Sequence, residues 1–365
     1  MRHLLSAFLF IVLATAGTHR PTAASASPAT PAGTVTTVVD PKLLPKDPNV
    51  LHGITRDAKT GDLYVGVWNS KYNAFAGMYT NDDSVRRITT SGAVSRVADF
   101  PYPEAMMISP HDGMLYVATG ALGVFGHASA EKTTSAVHAV DLQTGDNHLF
   151  VGGNTGFAEG NRFEARFSVL AGIANNPDDG TIYVSDTLNH RIRRIALDAT
   201  VTTLAGAGTA GDVDGTGAGA QFDLPKGIAY CPKDKSLYVA DSGNNEIRKV
   251  TFEGGVTTVA GASEAAYIDG PRSSARFDHP DGLACDPAGN VYVADTGNNT
   301  IRVISPSGVV STLAGSKEAG KVDGVGTAAR FMKPTGLWYE ASDASLYVID
   351  WGSTNVRRIT TAASP

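Results

Sequence analysis

The stretch VYVADTGNNTIRVI, from Val291 to Ile304, decides how this sequence is interpreted. Near-copies of it begin at Ile182, Leu237 and Leu346. Each copy places an Arg seven residues after an Asp and separates the two by small polar residues, which favour a tight turn. A pattern repeated in this way indicates a recurring structural unit, because a catalytic motif normally occurs once in a chain.

One tyrosine in each unit measures the repeat. The six tyrosines are Tyr64, Tyr116, Tyr183, Tyr238, Tyr292 and Tyr347, spaced by 52, 67, 55, 54 and 55 residues. Within the unit from Gly282 to Gly315, four short β-prone runs alternate with turn residues rich in Gly, Pro, Asn and Asp. Four strands repeated about every 40–55 residues are typical of propeller blades.

The sequence therefore predicts an all-β fold, a six-bladed β-propeller of four-stranded blades over residues 33–361. The blades are expected near residues 50–100, 103–152, 157–206, 211–261, 267–315 and 321–360. The last unit ends after its third strand, whereas GTVTTVVD from Gly33 matches the fourth strands of earlier units. We expect residues 33–39 to complete the last blade and close the ring, which removes exposed strand edges.

Two repeated features are expected to support each blade. The Asp and Arg flank one hairpin, so they can form an ion pair between its strands. A phenylalanine five residues before each inner-strand glycine is expected to fill the gap between blades. These phenylalanines are Phe167, Phe222, Phe277 and Phe331.

The motifs P-x-G-[IL]-A, YVAD, GNN-x-IR and VTTLAG resemble those of the NHL repeat. The resemblance is strong over residues 157–359 and weaker over residues 50–152. It implies a six-bladed propeller in which the first strand of each blade lines a central channel. It does not imply one function, because NHL propellers occur in RNA-binding regulators, sensor ectodomains, adhesion proteins and a peptide-amidating lyase.

The N-terminus predicts export. A short basic region precedes an apolar run from Leu4 to Ala16, and Ala24-Ser25-Ala26 fits the A-x-A cleavage pattern. We expect a signal peptide over residues 1–26, a short linker over residues 27–32, and a secreted, extracellular or periplasmic monomer. An uncleaved anchor is the alternative. The formal net charge of −6 argues against nucleic-acid binding, which needs a basic face.

The two cysteines, Cys231 and Cys285, lie in neighbouring repeats at positions offset by one residue. In a strand, such an offset directs side chains to opposite faces of the sheet. Export would permit a disulfide, but this geometry argues against one. The sequence leaves the question open.

Positions that differ between repeats are the candidates for a selective site. One of them directly precedes the inner-strand glycine and is expected at the mouth of the channel. By alignment it holds His52, Met106, Ala171, Lys226, Asp281 and Thr335. Such a mixed set can bind a polar ligand or carry out acid–base chemistry, and a solvated mouth without a ligand is the alternative.

Units one and two have long connections between their second and third strands, on the same face as the mouth. The aromatic residues near or within them are Trp68, Tyr72, Phe75, Tyr79 and Phe125. We expect these residues to form the rim of a binding surface. Packing of each loop on itself is the alternative.

We therefore expect a non-catalytic propeller that binds a protein, a peptide or a small polar molecule on the channel-mouth face. The alternative is a metal-dependent hydrolase or lyase of the lactonase or peptide-amidating-lyase type, with His52 and Asp281 as catalytic residues. Asp241, Asp295 and Asp350 would then hold a cation such as Ca²⁺ or Zn²⁺ in the channel. The three histidines that the resemblance implies for zinc are incomplete here, which favours binding over catalysis.

Overall fold

The computed structural model describes residues 32–39, 50–68, 70–73, 78–81, 83–120 and 134–361. The expected signal peptide and nearly all of the linker lie outside these residues. So do Phe75 and Phe125 of the expected rim. Tyr72 and Tyr79 belong to strands whose backbone alone is described.

Six antiparallel sheets form the blades of the predicted propeller, which is confirmed. Both faces of each sheet are covered by neighbouring blades, so strands such as LYVGVW are buried almost throughout. From the inner to the outer edge, the strands are Val50–Arg56, Leu63–Trp68, Ser84–Ile88 and Val94–Asp99 in blade 1; Pro103–Ile108, Leu115–Gly120, Thr134–Val140 and Asn147–Asn154 in blade 2; Leu170–Asn175, Ile182–Asp186, Arg191–Ile195 and Val201–Ala205 in blade 3; Pro225–Cys231, Ser236–Asp241, Glu246–Val250 and Gly255–Gly261 in blade 4; Pro280–Cys285, Val291–Asp295, Thr300–Ile304 and Val309–Gly315 in blade 5; Pro334–Glu340, Ser345–Asp350, Asn355–Thr360 and Thr34–Val39 in blade 6.

Short strands, a hairpin and 3-10 helices lie outside the four-stranded blades. Two-residue strands extend the outer edges of blades 4, 5 and 6, namely Gly215–Thr216, Gly270–Pro271 and Gly324–Val325. A hairpin joins Ser70–Asn73 to Met78–Asn81. Single-turn 3-10 helices occupy Thr187–Asn189, Gly217–Gly219, Ser242–Asn244, Thr296–Asn298, Gly326–Ala328 and Trp351–Ser353. No helix in the described ranges has the length and apolar character needed to cross a membrane.

The N-terminal strand closes the ring as expected. Thr34–Val39 pairs antiparallel with Asn355–Thr360, so that Thr34 lies opposite Thr360. The carboxylate of Asp323 also accepts hydrogen bonds from the Thr37 backbone N–H (2.9 Å) and hydroxyl (3.1 Å). Asp269 binds Thr312 of blade 5 in the same way, so this strand has the surroundings of a regular outer strand.

The repeated Asp and Arg form ion pairs inside blades 3 to 6. In blade 5, Arg302 Nη1 lies 2.7 Å from Asp295 Oδ2, and neither side chain is accessible to solvent. Asp295 also accepts hydrogen bonds from the Asp278 backbone N–H (2.8 Å) and Asn298 Nδ2 (2.9 Å). Arg302 in turn lies over the ring of Phe277, 5.3 Å from its centroid. The motif therefore holds each hairpin to the phenylalanine that precedes its blade.

The phenylalanines fill the gaps between blades as expected. Phe167, Phe222, Phe277 and Phe331 are all completely buried. Each belongs to a hydrophobic cluster that combines strands from two neighbouring blades. These clusters replace a single central core, as nearest-neighbour contacts do in other repeat architectures.

A disulfide joins Cys231 to Cys285, which answers the question that the sequence left open. Their Cα atoms lie 5.2 Å apart at the ends of the inner strands of blades 4 and 5. The two side chains do point to opposite faces of equivalent sheets. Neighbouring blades, however, meet through opposite faces, so both cysteines enter the same gap and join the same cluster. The one-residue offset would separate two cysteines of a single sheet, but it directs these two into the gap between neighbouring sheets.

Candidate functional site

The inner strands begin around a cavity of about 370 Å³ on the face where the second strands end. Close approach of these strands explains why a glycine follows the mouth position in five of the six blades. A Cβ atom on Gly282 would lie 2.0 Å from the Thr335 carbonyl oxygen, and one on Gly227 would lie 2.3 Å from that of Asp281. The predicted mouth residues that meet here are His52, Ala171, Lys226, Asp281 and Thr335.

Met106 does not hold the mouth position of blade 2, and Glu104 does. Strand pairing sets Met107 opposite Tyr116, the tyrosine that marks the repeat. In every other blade the mouth residue precedes the partner of that tyrosine by three positions, which selects Glu104 here. Met106 does line the cavity, but its repeat position was misassigned by two residues because Ala105 replaces the reference glycine.

His52 is fixed on three sides. Its ring stacks on Trp68, with centroids 3.8 Å apart and planes 14° apart. Its Nε2 accepts a hydrogen bond of 3.0 Å from Trp351 Nε1, and its Nδ1 lies 3.2 Å from Glu104 Oε2. An indole nitrogen can donate but not accept. His52 is therefore neutral in this arrangement, with its proton on Nδ1 and directed at Glu104.

Lys226 and Asp281 form an ion pair on another side of the cavity. Lys226 Nζ lies 2.8 Å from Asp281 Oδ2, and the two side chains are 35% and 22% exposed. The Asp281 carboxylate raises the pKa of Lys226, and the negative charge of Glu104 adds to this effect. The ammonium has three N–H donors and Asp281 uses one of them. Both groups therefore keep hydrogen-bonding capacity toward the cavity.

Two tryptophans line the cavity at equivalent positions of neighbouring blades, where the second strands end. Trp68 was predicted, but Trp351 was missed. Its signal was present in the sequence, since Trp351 follows the repeated Asp where the other regular units have Thr or Ser. Trp68 Nε1 and Thr335 Oγ1 are buried and have no hydrogen-bond partner within the described part of the chain.

Asp241, Asp295 and Asp350 do not face the channel, which corrects their assignment as channel cation ligands. All three are completely buried inside their blades, and their oxygens bind arginine, a backbone N–H and a short polar side chain. Their carboxylates serve the hairpins, because a buried charge is tolerated when it is paired and hydrogen-bonded.

The residues at the mouth do not fit a Zn²⁺ or Ca²⁺ site either. Both ring nitrogens of His52 are bound by protein groups, and Asp281 is paired with Lys226. A metal ligand has to present a free lone pair. Across the described ranges, no group of three or more His, Cys, Asp or Glu side chains is placed to hold a metal ion.

Six apolar side chains lie below the mouth, one from each inner strand, and separate this cavity from a second one on the opposite face. They are Ile54, Met106, Ile173, Ile228, Leu283 and Leu337, each between 4% and 7% exposed. Their positions follow the mouth residues by two along each strand, so they share one face of the pleat. We call this set the apolar ring. It gives the mouth cavity a hydrophobic floor.

Comparison with known proteins is consistent with this architecture. The family described as SMP-30/Gluconolactonase/LRE-like region matches residues 216–315. NHL repeat-containing protein 2 of Gallus gallus is 30% identical over 56% of this chain and 32% of its own length. SUPPRESSOR OF QUENCHING 1, chloroplastic, of Arabidopsis thaliana is 31% identical over 45% of this chain and 15% of its own length. The chain thus spans about a third or less of these curated relatives.

A solved structure from Bacteroides thetaiotaomicron, a protein of unknown function, superimposes with a TM-score of 0.65 and 18% identity. The match covers 90% of this chain and 75% of that one. At this identity the likeness concerns the fold alone. The closed ring shows a six-bladed β-propeller, and the repeated hairpins and the relatives support one of the NHL-repeat type.

Proposed function

We propose that the protein binds a small polar molecule in the mouth cavity and carries out no chemistry on it. The observation that supports this is the asymmetry of the mouth, where equivalent positions of a repeated ring hold different side chains. Lys226 and Asp281 stand on one side, and Glu104 with the tryptophans on another. The volume of about 370 Å³ falls within the range of about 300–1,000 Å³ that is usual for small-molecule pockets.

The charges at the mouth favour a zwitterionic ligand. Lys226 can donate to a ligand carboxylate, while Glu104 and Asp281 can accept from a ligand ammonium. The faces of Trp68 and Trp351 can contact the apolar part of such a ligand or its cation. The apolar ring below limits how deeply a charged group can enter, because burial of an unpaired charge is unfavourable.

A thermal-shift screen with amino acids and other small zwitterions tests this proposal. At least one member should raise the melting temperature in a saturable way, because a ligand that binds the folded state stabilises it. Lys226→Ala and Glu104→Gln should each weaken that binding at least tenfold. Lys235→Ala, at an exposed ion pair outside the cavity, is the matched control. Absence of any saturable shift in the panel would contradict the proposal.

A metal-dependent hydrolase or lyase is the second candidate, and the gluconolactonase-like family match favours it. The geometry of the mouth opposes it, because His52 and Asp281 are committed to protein partners. Elemental analysis of the purified protein separates the two candidates. Stoichiometric zinc or calcium that disappears in a His52→Ala/Asp281→Ala variant would favour the enzyme and displace the binding proposal.

Export is a further part of this proposal. The Cys231–Cys285 bridge supports it, since disulfides persist in oxidising compartments and are rare in the cytosol. N-terminal sequencing of protein purified from a culture medium or periplasmic extract should begin at Ser27. A mature protein that retains the apolar run from Leu4 to Ala16 would indicate an anchor.

A further inference from the structure

A second and larger cavity, of about 1010 Å³, opens on the face opposite the mouth. It is formed by the C-terminal halves of the inner strands and by the turns that follow them. The apolar ring lines both cavities and stands between them. A molecule bound at the mouth therefore does not reach this cavity through the channel, and the two sites can be treated separately.

The walls of this second cavity are aromatic. Tyr230 and Tyr339 lie two positions beyond the apolar ring on their inner strands, and Trp338 lies beside Tyr339. The Tyr230 ring is stacked with Phe252 (centroids 6.2 Å apart), and the Tyr339 ring is stacked with Tyr292 (5.7 Å). Stacking holds these rings in place, so their contact surface loses little entropy when a ligand binds.

Two nitrogen donors in this wall lack hydrogen-bond partners. Asn175 Nδ2 and Trp338 Nε1 are both buried, and neither has a partner within the described residues. An unsatisfied buried donor is unfavourable, so the complex is stabilised when an acceptor reaches it. Both residues line the cavity, on inner strands of blades 3 and 6.

Two of the three Lys and Arg side chains that line the cavity are paired with carboxylates, and the third, Lys59, is exposed. Arg56 Nη1 lies 2.8 Å from Glu340 Oε2, and Arg87 pairs with Asp62. Asp57, Asp112 and Asp141 also line the cavity, so positive and negative side chains nearly balance around its hydrophobic floor, aromatic walls and neutral donors. This combination disfavours nucleotides and other highly charged ligands, which need unpaired cations.

We propose that the opposite-face cavity is a second binding site, for a planar and mostly apolar organic molecule that carries carbonyl or acid oxygens. The apolar body packs against the apolar ring and the tyrosine walls. Its oxygens accept hydrogen bonds from Asn175 Nδ2 and Trp338 Nε1. This site goes beyond the function proposed for the mouth, and it stands even if no zwitterion binds there.

The three tryptophans of the chain allow a direct test, because Trp68 and Trp351 line the mouth and Trp338 lines the opposite cavity. The probe is 8-anilinonaphthalene-1-sulfonate, which has a largely apolar aromatic body, carries the acceptor oxygens of a sulfonate and accepts energy from excited tryptophan. In a Trp68→Phe/Trp351→Phe variant, the remaining emission comes from Trp338. Saturable energy transfer with one probe per chain is expected to persist in this variant.

Removing the unpaired donors completes the test. Trp338→Phe keeps the ring and removes the N–H, and Asn175→Ala removes the amide; at least one of them should weaken probe binding about fivefold or more. Lys235→Ala is the control and should leave binding unchanged. Circular dichroism and the melting temperature establish whether each variant is folded. If Asn175→Ala is not folded, Trp338→Phe alone tests the donor contacts. Absence of saturable binding, loss of transfer with the two mouth tryptophans, or binding that every folded donor variant leaves unchanged overturns the proposal.

Discussion

Completely buried arginines stand between two carboxylates in blades 4 to 6. Arg248 contacts Asp241 (2.7 Å) on one side and Asp214 (2.7 Å) on the other. Arg302 repeats this arrangement with Asp295 and Asp269. Because each guanidinium also donates to backbone carbonyl oxygens, few of its polar atoms are left unsatisfied. The stability of these blades therefore depends on the ion pairs between the buried arginines and their carboxylates.

Breaking one of these pairs should therefore be costly. Arg302→Leu leaves Asp295 buried and uncompensated, and we expect the free energy of unfolding to fall by about 3–5 kcal/mol. Urea denaturation followed by circular dichroism measures this change. Lys235→Ala breaks the exposed pair with Asp178 and should change stability far less, because solvent screens this pair. Equal effects of the two substitutions would contradict a structural role for the buried pair.

Blade 2 lacks this arginine and has His138 in its place. His138 pairs with Val117 of the second strand, as Arg193 pairs with Val184 in blade 3. Its ring lies 4.9 Å from that of Phe100. Burial lowers the pKa of His138 to about 4, and the nearby His148 contributes to this shift. The folded protein therefore holds His138 neutral.

This shift predicts a loss of stability in mild acid. The unfolded chain binds a proton at His138 below about pH 6.5 and the folded chain does so only near pH 4, so the free energy of unfolding falls as pH decreases between these values. From pH 7 to pH 5 the loss should be up to about 2 kcal/mol. His138→Gln should remove this part of the pH dependence in urea titrations. A variant with the wild-type pH dependence would refute the assignment.

At the scale of the element, the inner strands of blades 4 and 5 are joined covalently. The Cys231–Cys285 bridge lies at the strand ends that face the opposite cavity, and Cys285 contributes to the lining of that cavity. The strands of these two blades also share a hydrophobic cluster. The bridge therefore strengthens the contact between blades 4 and 5, which hydrophobic packing already forms.

Removing the bridge should destabilise the ring without unfolding it. It closes a loop of 54 residues, for which the chain-entropy account gives about 4 kcal/mol, and measured values are often smaller. We expect a Cys231→Ser/Cys285→Ser variant to lose about 2–4 kcal/mol. Adding a reducing agent to the wild type should reproduce the loss and leave the variant unchanged. A wild-type melting temperature that does not respond to reduction would contradict this expectation.

At the scale of the whole molecule, the ring is closed by strands from the two ends of the described chain. Val35 of the N-terminal strand is 1% exposed and packs in the cluster that also contains Phe331 and Ile359. Val38 of the same strand is 41% exposed. This difference in exposure shows that one face of the strand packs against the hydrophobic cluster and the other faces solvent, as expected for an outer strand.

Two substitutions in this strand test closure. Val35→Asp places an unpaired charge in the cluster and should lower the free energy of unfolding by about 3 kcal/mol or more. Val38→Asp changes the exposed face of the same strand and should cost less than about 1 kcal/mol. Deletion of residues 33–39 should be at least as harmful as Val35→Asp. If all three variants melt like the wild type, the N-terminal strand does not hold the ring together.

The sequence predicted the fold well because the fold is repetitive. One hairpin occurs four times, and the spacing of its tyrosines measures the blade directly. The position of the mouth followed from the same repeat, and it placed His52, Lys226 and Asp281 correctly around one cavity. Prediction failed in blade 2, where Ala105 replaces the reference glycine and strand pairing was needed to identify Glu104.

The sequence by itself determined the number of blades, the closure of the ring and the residues that differ at its mouth. These features depend on the repeat period and on turn residues, which are local properties of the sequence. Tertiary structure decided what those residues do. In the folded ring, the repeated carboxylates pair with buried arginines, and both nitrogens of His52 contact protein groups. Cys231 and Cys285 form a disulfide, and the apolar ring divides the channel into two cavities. These outcomes depend on which faces of neighbouring sheets meet, and packing between distant segments sets that geometry.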